Sequence, residues 1–104
     1  MRQITQDSIN AFIWGFTFSK QNTKVRVFND VIKLQLHGNT IAIKDRLTNK
    51  IKISNCGYFT NTTKERLNGL PNVDIYQKNF VWYLNGKEWN GQKIDINLKK
   101  QLKQ

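Results

Sequence analysis

Residues 60–91, TNTTKERLNGLPNVDIYQKNFVWYLNGKEWNG, contain the local signals that decide the fold. A threonine-rich helix start is followed by a Gly-Leu-Pro stop at 69–71. Alternating apolar and polar residues then lead to an Asn-Gly pair at 85–86, the strongest short signal for a tight hairpin turn, and a second Asn-Gly pair follows at 90–91. The segment predicts a short helix followed by a β-hairpin.

The helix start has the form of a capping box, Thr62-x-x-Glu65, in which the threonine hydroxyl accepts a hydrogen bond from a helix-start amide and the glutamate returns one. The box predicts a helix over residues 63–70. Lys64 and Arg66 then lie on its exposed side, where they could contact phosphates or another protein. The alternative is a helix that only connects two segments of sheet.

Aromatic side chains are concentrated in the hairpin region. Because aromatics favour strands, we expect core and cross-strand packing, with Phe80, Trp82 and Leu84 on one face. The alternative is a surface that stacks on bases or clasps a nucleotide. The group consists of Tyr76, Trp82, Tyr83 and Trp89.

Between residues 24 and 53, apolar residues alternate with polar ones at the period of a β-strand. Turn residues separate four such runs, and the short connections predict an antiparallel meander. A last edge strand is predicted at 94–96. The alternating residues are Val25, Val27, Ile32, Leu34, Leu36, Ile41, Ile43, Ile51 and Ile53.

The polar residues of these strands are mostly basic. If the aliphatic residues face the core, the polar set lies on the opposite face, because alternate residues of a strand point to opposite sides. We expect no acid on that face, which makes it a candidate platform for a phosphate backbone. The alternative is a solvated face whose lysines discourage aggregation. The set is Lys24, Arg26, Lys33, Gln35, His37, Lys44 and Lys52.

The N-terminal residues predict an amphipathic helix. Thr5 is its predicted cap, Asp7 lies in the first turn near the positive end of the helix dipole, and Gly15 ends the helix. Trp14 lies off the apolar stripe, and we expect it to pack against the sheet or a loop rather than contact a partner. The stripe consists of Ile9, Phe12, Ile13 and Phe16.

The chain has 104 residues, 38% of them hydrophobic, which fits one domain over 1–104 with 1–4 and 98–104 expected to fray. Apolar runs such as AFIW at 11–14 are far shorter than the roughly 20 residues of a membrane span. We therefore expect no membrane partner. The predicted fold class is α+β, an antiparallel sheet of about five to seven short strands with an N-terminal amphipathic helix and a short inserted helix.

The sequence shows no pattern typical of an enzyme. His37 is the only histidine and Cys56 the only cysteine, so neither a nucleophile with its base nor a metal-ligand set is indicated. We expect no catalytic residue, no metal and no cofactor, and we expect Cys56 to be a packed small side chain. A single cysteine also fits a reducing compartment such as the cytoplasm.

The charge balance carries the main indication of function. Seventeen basic side chains against seven acidic ones give a net charge of +10. Such an excess favours polyanionic partners through long-range attraction. The alternative is that the charge only keeps a small protein soluble.

Four blocks of the sequence, LHGNTIA at 36–42, ISNCGY at 53–58, TNTTKERLNGLP at 60–71 and QKNFVWYLNGKEWNG at 77–91, resemble a family of small hypothetical proteins of tailed bacteriophages. The resemblance extends over residues 10–96. It implies a phage origin and action in the cytoplasm of the infected host. It implies no mechanism.

Three functions are compatible with these observations. The first is a small non-enzymatic phage protein that binds nucleic acid through its basic sheet face. The second is an interaction protein that inhibits a host defence or transcription factor. The third, weaker in support, is a protein that sequesters a nucleotide signal with the aromatic group and Arg66. The predicted nucleic-acid-binding residues are Lys24, Arg26, Lys33, Lys44, Lys52, Lys64 and Arg66.

Overall fold

A computed structural model describes residues 2–96. Within them the chain forms two helices and nine strands, in the order α1 (Gln3–Trp14), β1 (Phe18–Lys20), β2 (Thr23–Val27), β3 (Val31–Leu36), β4 (Asn39–Asp45), β5 (Ile51–Ile53), α2 (Asn61–Asn68), β6 (Ile75–Lys78), β7 (Val81–Leu84), β8 (Lys87–Glu88) and β9 (Ile94–Ile96). The predicted α+β class is confirmed.

The strands form two antiparallel sheets. The larger has the order β1-β2-β3-β4-β5-β9, and the smaller has the order β6-β7-β8. The predicted meander corresponds to β2 to β5, and the predicted edge strand is β9, which pairs with β5. Strand β1 was not predicted, because Phe18 is the only apolar residue in its three positions.

One face of the larger sheet is covered by the remaining elements. Helix α1 packs across β2 and β3, while α2 contacts α1, β4 and β6. Phe12, Leu34, Ile51, Leu67 and Trp82 belong to a single buried core that includes residues of both sheets. The smaller sheet therefore packs onto the same core as the larger one.

Helix α1 begins two residues before the predicted cap. Thr5 lies inside the helix and is fully buried, so the predicted cap at Thr5 is wrong. Asp7 consequently falls after the first turn, where it accepts a hydrogen bond from Gln3 Nε2 at 2.8 Å. Gln3 and Ile4, within the segment expected to fray, belong to the helix, and Ile4 is buried. Met1 and residues 98–104 lie outside the described residues.

The end of α1 is where the sequence placed it. Gly15 adopts a left-handed conformation with φ of 83°, and its amide donates to the carbonyl of Ala11. This confirms Gly15 as the residue that ends the helix. The expected packing of Trp14 is wrong, because its side chain is 73% exposed. Phe16, past the helix end, is also exposed.

Helix α2 is capped by a different threonine from the one predicted. Thr60 is the N-cap, and its Oγ1 accepts a hydrogen bond from the amide of Thr63 at 3.2 Å. The predicted capping box of Thr62 and Glu65 is therefore wrong, and the helix runs from 61 to 68 rather than 63 to 70. Instead of capping the helix, the Glu65 carboxylate accepts a hydrogen bond from Arg66 Nη1 at 2.7 Å.

Arg66 lies in the interior, although the sequence placed it on the exposed side of the helix. Its side chain is 1% exposed. Nη1 donates to Thr5 Oγ1 at 2.6 Å and Nε donates to Thr23 Oγ1 at 3.1 Å. Burial lowers the pKa of Arg66, and the Glu65 carboxylate opposes that shift. The guanidinium thus joins α1, α2 and β2.

The cap can be tested with two threonine variants. Thr60→Ala should lower the free energy of unfolding by about 1 kcal/mol, because the amide of Thr63 loses its acceptor. Thr62→Ala is the matched control and should cost less than about 0.5 kcal/mol. Urea titration of both variants measures the difference. Equal losses would contradict the cap at Thr60.

A second pair of variants tests the buried arginine. Arg66→Ala should lower the free energy of unfolding by about 3–5 kcal/mol, because it opens a cavity and leaves the hydroxyls of Thr5 and Thr23 without their donor. Lys64→Ala, on the same helix, should cost less than about 1 kcal/mol. A loss for Arg66→Ala no larger than that of Lys64→Ala in thermal or urea unfolding would overturn this role.

Candidate nucleic-acid interface

The candidate interface is the face of the larger sheet that points away from the helices. In antiparallel pairs, directly opposite residues share a face. Strand β2 pairs with β3 so that Lys24 lies opposite Gln35 and Arg26 opposite Lys33, and Lys52 of β5 lies on the same side. We call Lys24, Arg26, Lys33 and Lys52 the basic face.

Arg26 and Lys33 are the centre of this face. Their backbones are direct cross-strand partners, an arrangement that destabilises a sheet when the charges are alike. The ring of Phe28 lies near both, with its centroid 5.8 Å from Arg26 Cζ and 5.4 Å from Lys33 Nζ. The aromatic face offsets part of the repulsion through cation–π attraction.

A shallow groove of about 360 Å³ continues the basic face towards strand β1. Hydroxyl groups and cations line it together, and both are donors that bind phosphate oxygens. Its polar lining residues are Thr17, Ser19, Lys24 and Arg26.

Lys44 does not belong to this face, so its predicted position is wrong. The pairing of β3 and β4 shifts between Leu34 and Gln35, which leaves Ile41 and Ala42 both buried and inverts the alternation after them. Lys44 consequently points towards α1, where its Nζ donates to the carbonyl of Ile13 at 2.7 Å. Carbonyls at a helix end lack partners and attract cations, and burial lowers the pKa of Lys44.

The expectation that the face carries no acid is also wrong. Strand β9 places Asp95 opposite Lys52, with 3.5 Å between Nζ and Oδ1. Both side chains are more than half exposed, so the pair adds little stability. The sequence could not show this contact because the pairing of β9 with β5 joins segments far apart in the chain.

Three other predicted residues lie elsewhere. Lys64 is on α2, with its Nζ 3.3 Å from Gln77 Oε1 and 5.6 Å from the centroid of Trp82. Arg66 is in the core, so it is not available to a ligand. His37, predicted for the basic face, lies in the turn between β3 and β4 with φ of 53° and its Nε2 3.4 Å from Asn22 Nδ2.

The aromatic group divides between the core and the surface. Trp82 and Trp89 are buried with centroids 6.2 Å apart, which confirms the packing prediction for them. Tyr76 and Tyr83 stack on the other face of the smaller sheet at 5.3 Å. Phe80, predicted to share the face of Trp82, lies in the β6–β7 turn and is 95% exposed. The group therefore forms no common surface with Arg66.

Residues 2–96 contain neither a metal-ligand cluster nor a membrane-spanning helix. That part of the chain holds no cluster of three or more His, Cys, Asp and Glu side chains suited to a metal. It also holds no helix that is long and apolar enough to cross a membrane. Cys56 is exposed rather than packed, and its Sγ lies 3.0 Å from the carbonyl oxygen of Thr40.

Comparison with known proteins identifies the family. Residues 1–100 match the family described as Kyanoviridae Gp96 protein. The chain belongs to this phage protein family. The resemblance to phage proteins seen in the sequence is thereby confirmed, and the family's description gives no activity. No curated protein and no solved structure matches the chain.

Because the match to the Kyanoviridae Gp96 family spans α1 and both sheets, it includes the strands that carry the basic face. Sequence reasoning found Lys24, Arg26, Lys33 and Lys52 from the strand period alone. It missed Phe28, whose position between two cations depends on the β2–β3 register. The sequence did contain a signal for it, because Phe28 is two positions after Arg26 and therefore points to the same side of the strand.

Proposed function

We propose that this phage protein binds nucleic acid through its basic face, without reading sequence, in the cytoplasm of the infected host. The observation that carries the proposal is the direct cross-strand pairing of Arg26 with Lys33, beside Lys24. Within residues 2–96, none of these three cations forms an ion pair. Arg26 and Lys33 repel each other across the two strands, so an anion bound between them stabilises the sheet.

A phosphate backbone is the anion that suits the face. Lys24 and Arg26 lie on one strand, Lys33 lies opposite Arg26, and Lys52 lies farther across the sheet in a weak, exposed ion pair with Asp95. Several phosphates can therefore be neutralised together. Neutralised phosphates release counterions, which drives binding independently of sequence. Phe28 adds a ring on which a base of a single strand can stack. The proposal is a binding function, with no catalytic step and no cofactor.

The salt dependence of binding tests this function. With about four phosphate contacts, the slope of log affinity against log salt should be about −3.6 for duplex DNA and about −2.8 for a single strand. Lys24→Gln combined with Lys33→Gln should flatten the slope by about two and weaken binding equally for unrelated sequences. Fluorescence anisotropy with labelled oligonucleotides measures both quantities.

Lys64→Gln combined with Lys87→Gln is the matched control, because it removes the same charge from residues outside the basic face. Its slope should stay close to that of the unaltered protein. Equal flattening in both double variants would show that net charge alone is responsible. Absence of binding to single- and double-stranded DNA and RNA at roughly 50 mM salt would refute the proposal, since low salt favours such contacts.

Phe80 favours a second candidate function, binding to a host protein. It occupies the second position of the β6–β7 turn with φ of 67°, after Asn79 with φ of 52°. Left-handed backbone is costly for a bulky residue. The next turn also has positive φ at both positions, 51° at Asn85 and 87° at Gly86, and has glycine at the second. A strained and exposed aromatic residue points to a contact with a partner.

The surface beside Phe80 suits an extended peptide. Strand β6 is at the edge of the smaller sheet. Asn68 bonds both the amide and the carbonyl of Ile75, and among residues 2–96 no backbone hydrogen bond occupies the outer side of β6 from 76 to 78. A cleft of about 760 Å³ lies there between α2 and β6, lined in part by Lys64, Gln77 and Phe80. A partner strand can add to such an edge.

Phe80→Gly separates stability from binding in this second candidate. The variant should raise the free energy of unfolding by about 1 kcal/mol, because glycine adopts the left-handed backbone without strain. It should also lose any host protein that the unaltered chain retains after nuclease treatment. Affinity capture from infected cells, with and without nuclease, measures the retention. Partners retained equally by Phe80→Gly, or released by nuclease, would refute the role of Phe80.

A further inference from the structure

Phe28 places an exposed aromatic ring beside the basic face. The residue follows directly after β2, and its side chain is 42% exposed. Arg26 Cζ and Lys33 Nζ lie 5.8 Å and 5.4 Å from the centroid of the ring. Both cations have long, flexible side chains, so they can turn to phosphates and leave the ring to a base. Aromatic rings among cations are the surfaces on which single-stranded nucleic acids stack their bases.

The backbone fixes the position of Phe28. Its amide donates a hydrogen bond to the carbonyl of Val31 at 2.8 Å, and its carbonyl accepts one from Arg46 Nη1 at 2.7 Å. Neither bond involves the ring, which therefore stays free on a backbone that is held from both sides. A residue that is positioned before binding loses less conformational entropy when a ligand contacts it.

Groups that bind phosphate continue from the ring along β2. Lys24 is four residues before Phe28, a distance of about 13 Å along a strand. Ser19 of the edge strand β1 lies directly opposite Lys24. The hydroxyl-bearing residues Thr17 and Ser19 are exposed and line the groove of about 360 Å³ beside these cations. A ring for a base and donors for phosphates thus lie in line on one surface.

The shape of the larger sheet favours a single strand over a duplex. Within residues 2–96 the sheet has six strands, which makes it about 24 Å wide at the usual strand spacing. The major groove of DNA, about 12 Å wide, admits a helix or a two-stranded ribbon, and that of duplex RNA is narrower. The face can therefore meet a duplex at its phosphates, but the bases there are stacked on one another and none is free for Phe28.

We propose that the ligand of the basic face is a single strand, DNA or RNA, and that Phe28 selects it over a duplex. This inference rests on the proposed nucleic-acid binding and names its substrate class. One base stacks on Phe28, the neighbouring phosphates bind Arg26 and Lys33, and the strand continues along β2 to the groove. Charge alone favours duplex DNA, which releases more counterions for each phosphate contacted, so a preference for the single strand reports the ring.

Matched oligonucleotides test the preference with the full chain. Labelled single strands of about 12 nucleotides, a length within the range of known single-strand sites, are compared with their duplexes by fluorescence anisotropy at one salt concentration. Both DNA and RNA are used, and the tighter of the two single strands identifies the kind of nucleic acid. The unaltered protein should bind at least one single strand about tenfold more tightly than its duplex, the effect of one stacked base.

Two variants of Phe28 connect this preference to the ring. Phe28→Leu removes the aromatic face but keeps an apolar side chain and both backbone hydrogen bonds. It should weaken single-strand binding about tenfold and leave duplex binding unchanged, and circular dichroism checks that it is folded. Phe28→Trp should bind single strands at least as tightly as the unaltered protein, because the larger ring also stacks on bases.

Trp14→Leu is the matched control. Trp14 is also an exposed aromatic residue, but it ends α1, which packs on the opposite face of the sheet. The control variant should bind single strands and duplexes as the unaltered protein does.

Three results would overturn the inference and leave nucleic-acid binding intact. The first is binding of duplexes as tight as that of single strands. The second is an equal loss of both ligands in Phe28→Leu. The third is single-strand binding that Phe28→Leu weakens no more than Trp14→Leu does. Absence of binding to every oligonucleotide at roughly 50 mM salt would instead refute the proposed function, and this inference with it.

Discussion

Burying the guanidinium of Arg66 costs several kcal/mol of desolvation unless hydrogen bonds and a counter-charge compensate. The compensation comes from three directions: Thr5 of α1, Thr23 of β2 and the adjacent Glu65. These acceptors are positioned only when both helices lie correctly on the sheet. Arg66 therefore ties the packing of α1 and α2 to the position of β2, and alternative arrangements leave a buried charge without partners.

The same network reaches beyond the core. Thr23 accepts from Arg66 and donates its own hydroxyl proton to Asn22 Oδ1 at 2.9 Å. Asn22 Nδ2 is then directed at His37 Nε2, and the Asn22 carbonyl accepts from the His37 amide. The turn between β3 and β4 is thus held by contacts that begin at the buried arginine. That turn also lines a cavity of about 260 Å³ beside the start of α2, so the core and this cavity share a support.

Sequence patterns predicted those features that depend only on residues close together in the chain. Strand alternation from 24 to 36 placed Lys24, Arg26 and Lys33 correctly because no irregularity interrupts β2 or the start of β3. The prediction failed for Lys44 because a bulge inverted the alternation, and the only warning was the apolar run Ile41-Ala42-Ile43. It failed for Arg66 because the compensating hydroxyls lie 61 and 43 residues away. Tertiary partners of this kind leave no local signal.

Two of the places where the described residues depart from what local stability favours lie on exposed surfaces. Arg26 and Lys33 pair like charges across neighbouring strands, and Phe80 occupies a turn position where the next turn has Gly86. Departures from local rules are expected where a surface serves a partner, because function then compensates for the lost stability. One lies on the larger sheet and the other on the smaller. Since they share no hydrogen bond or ion pair in the described residues, substitutions at one should leave the other intact, and the two surfaces can be assigned separate partners.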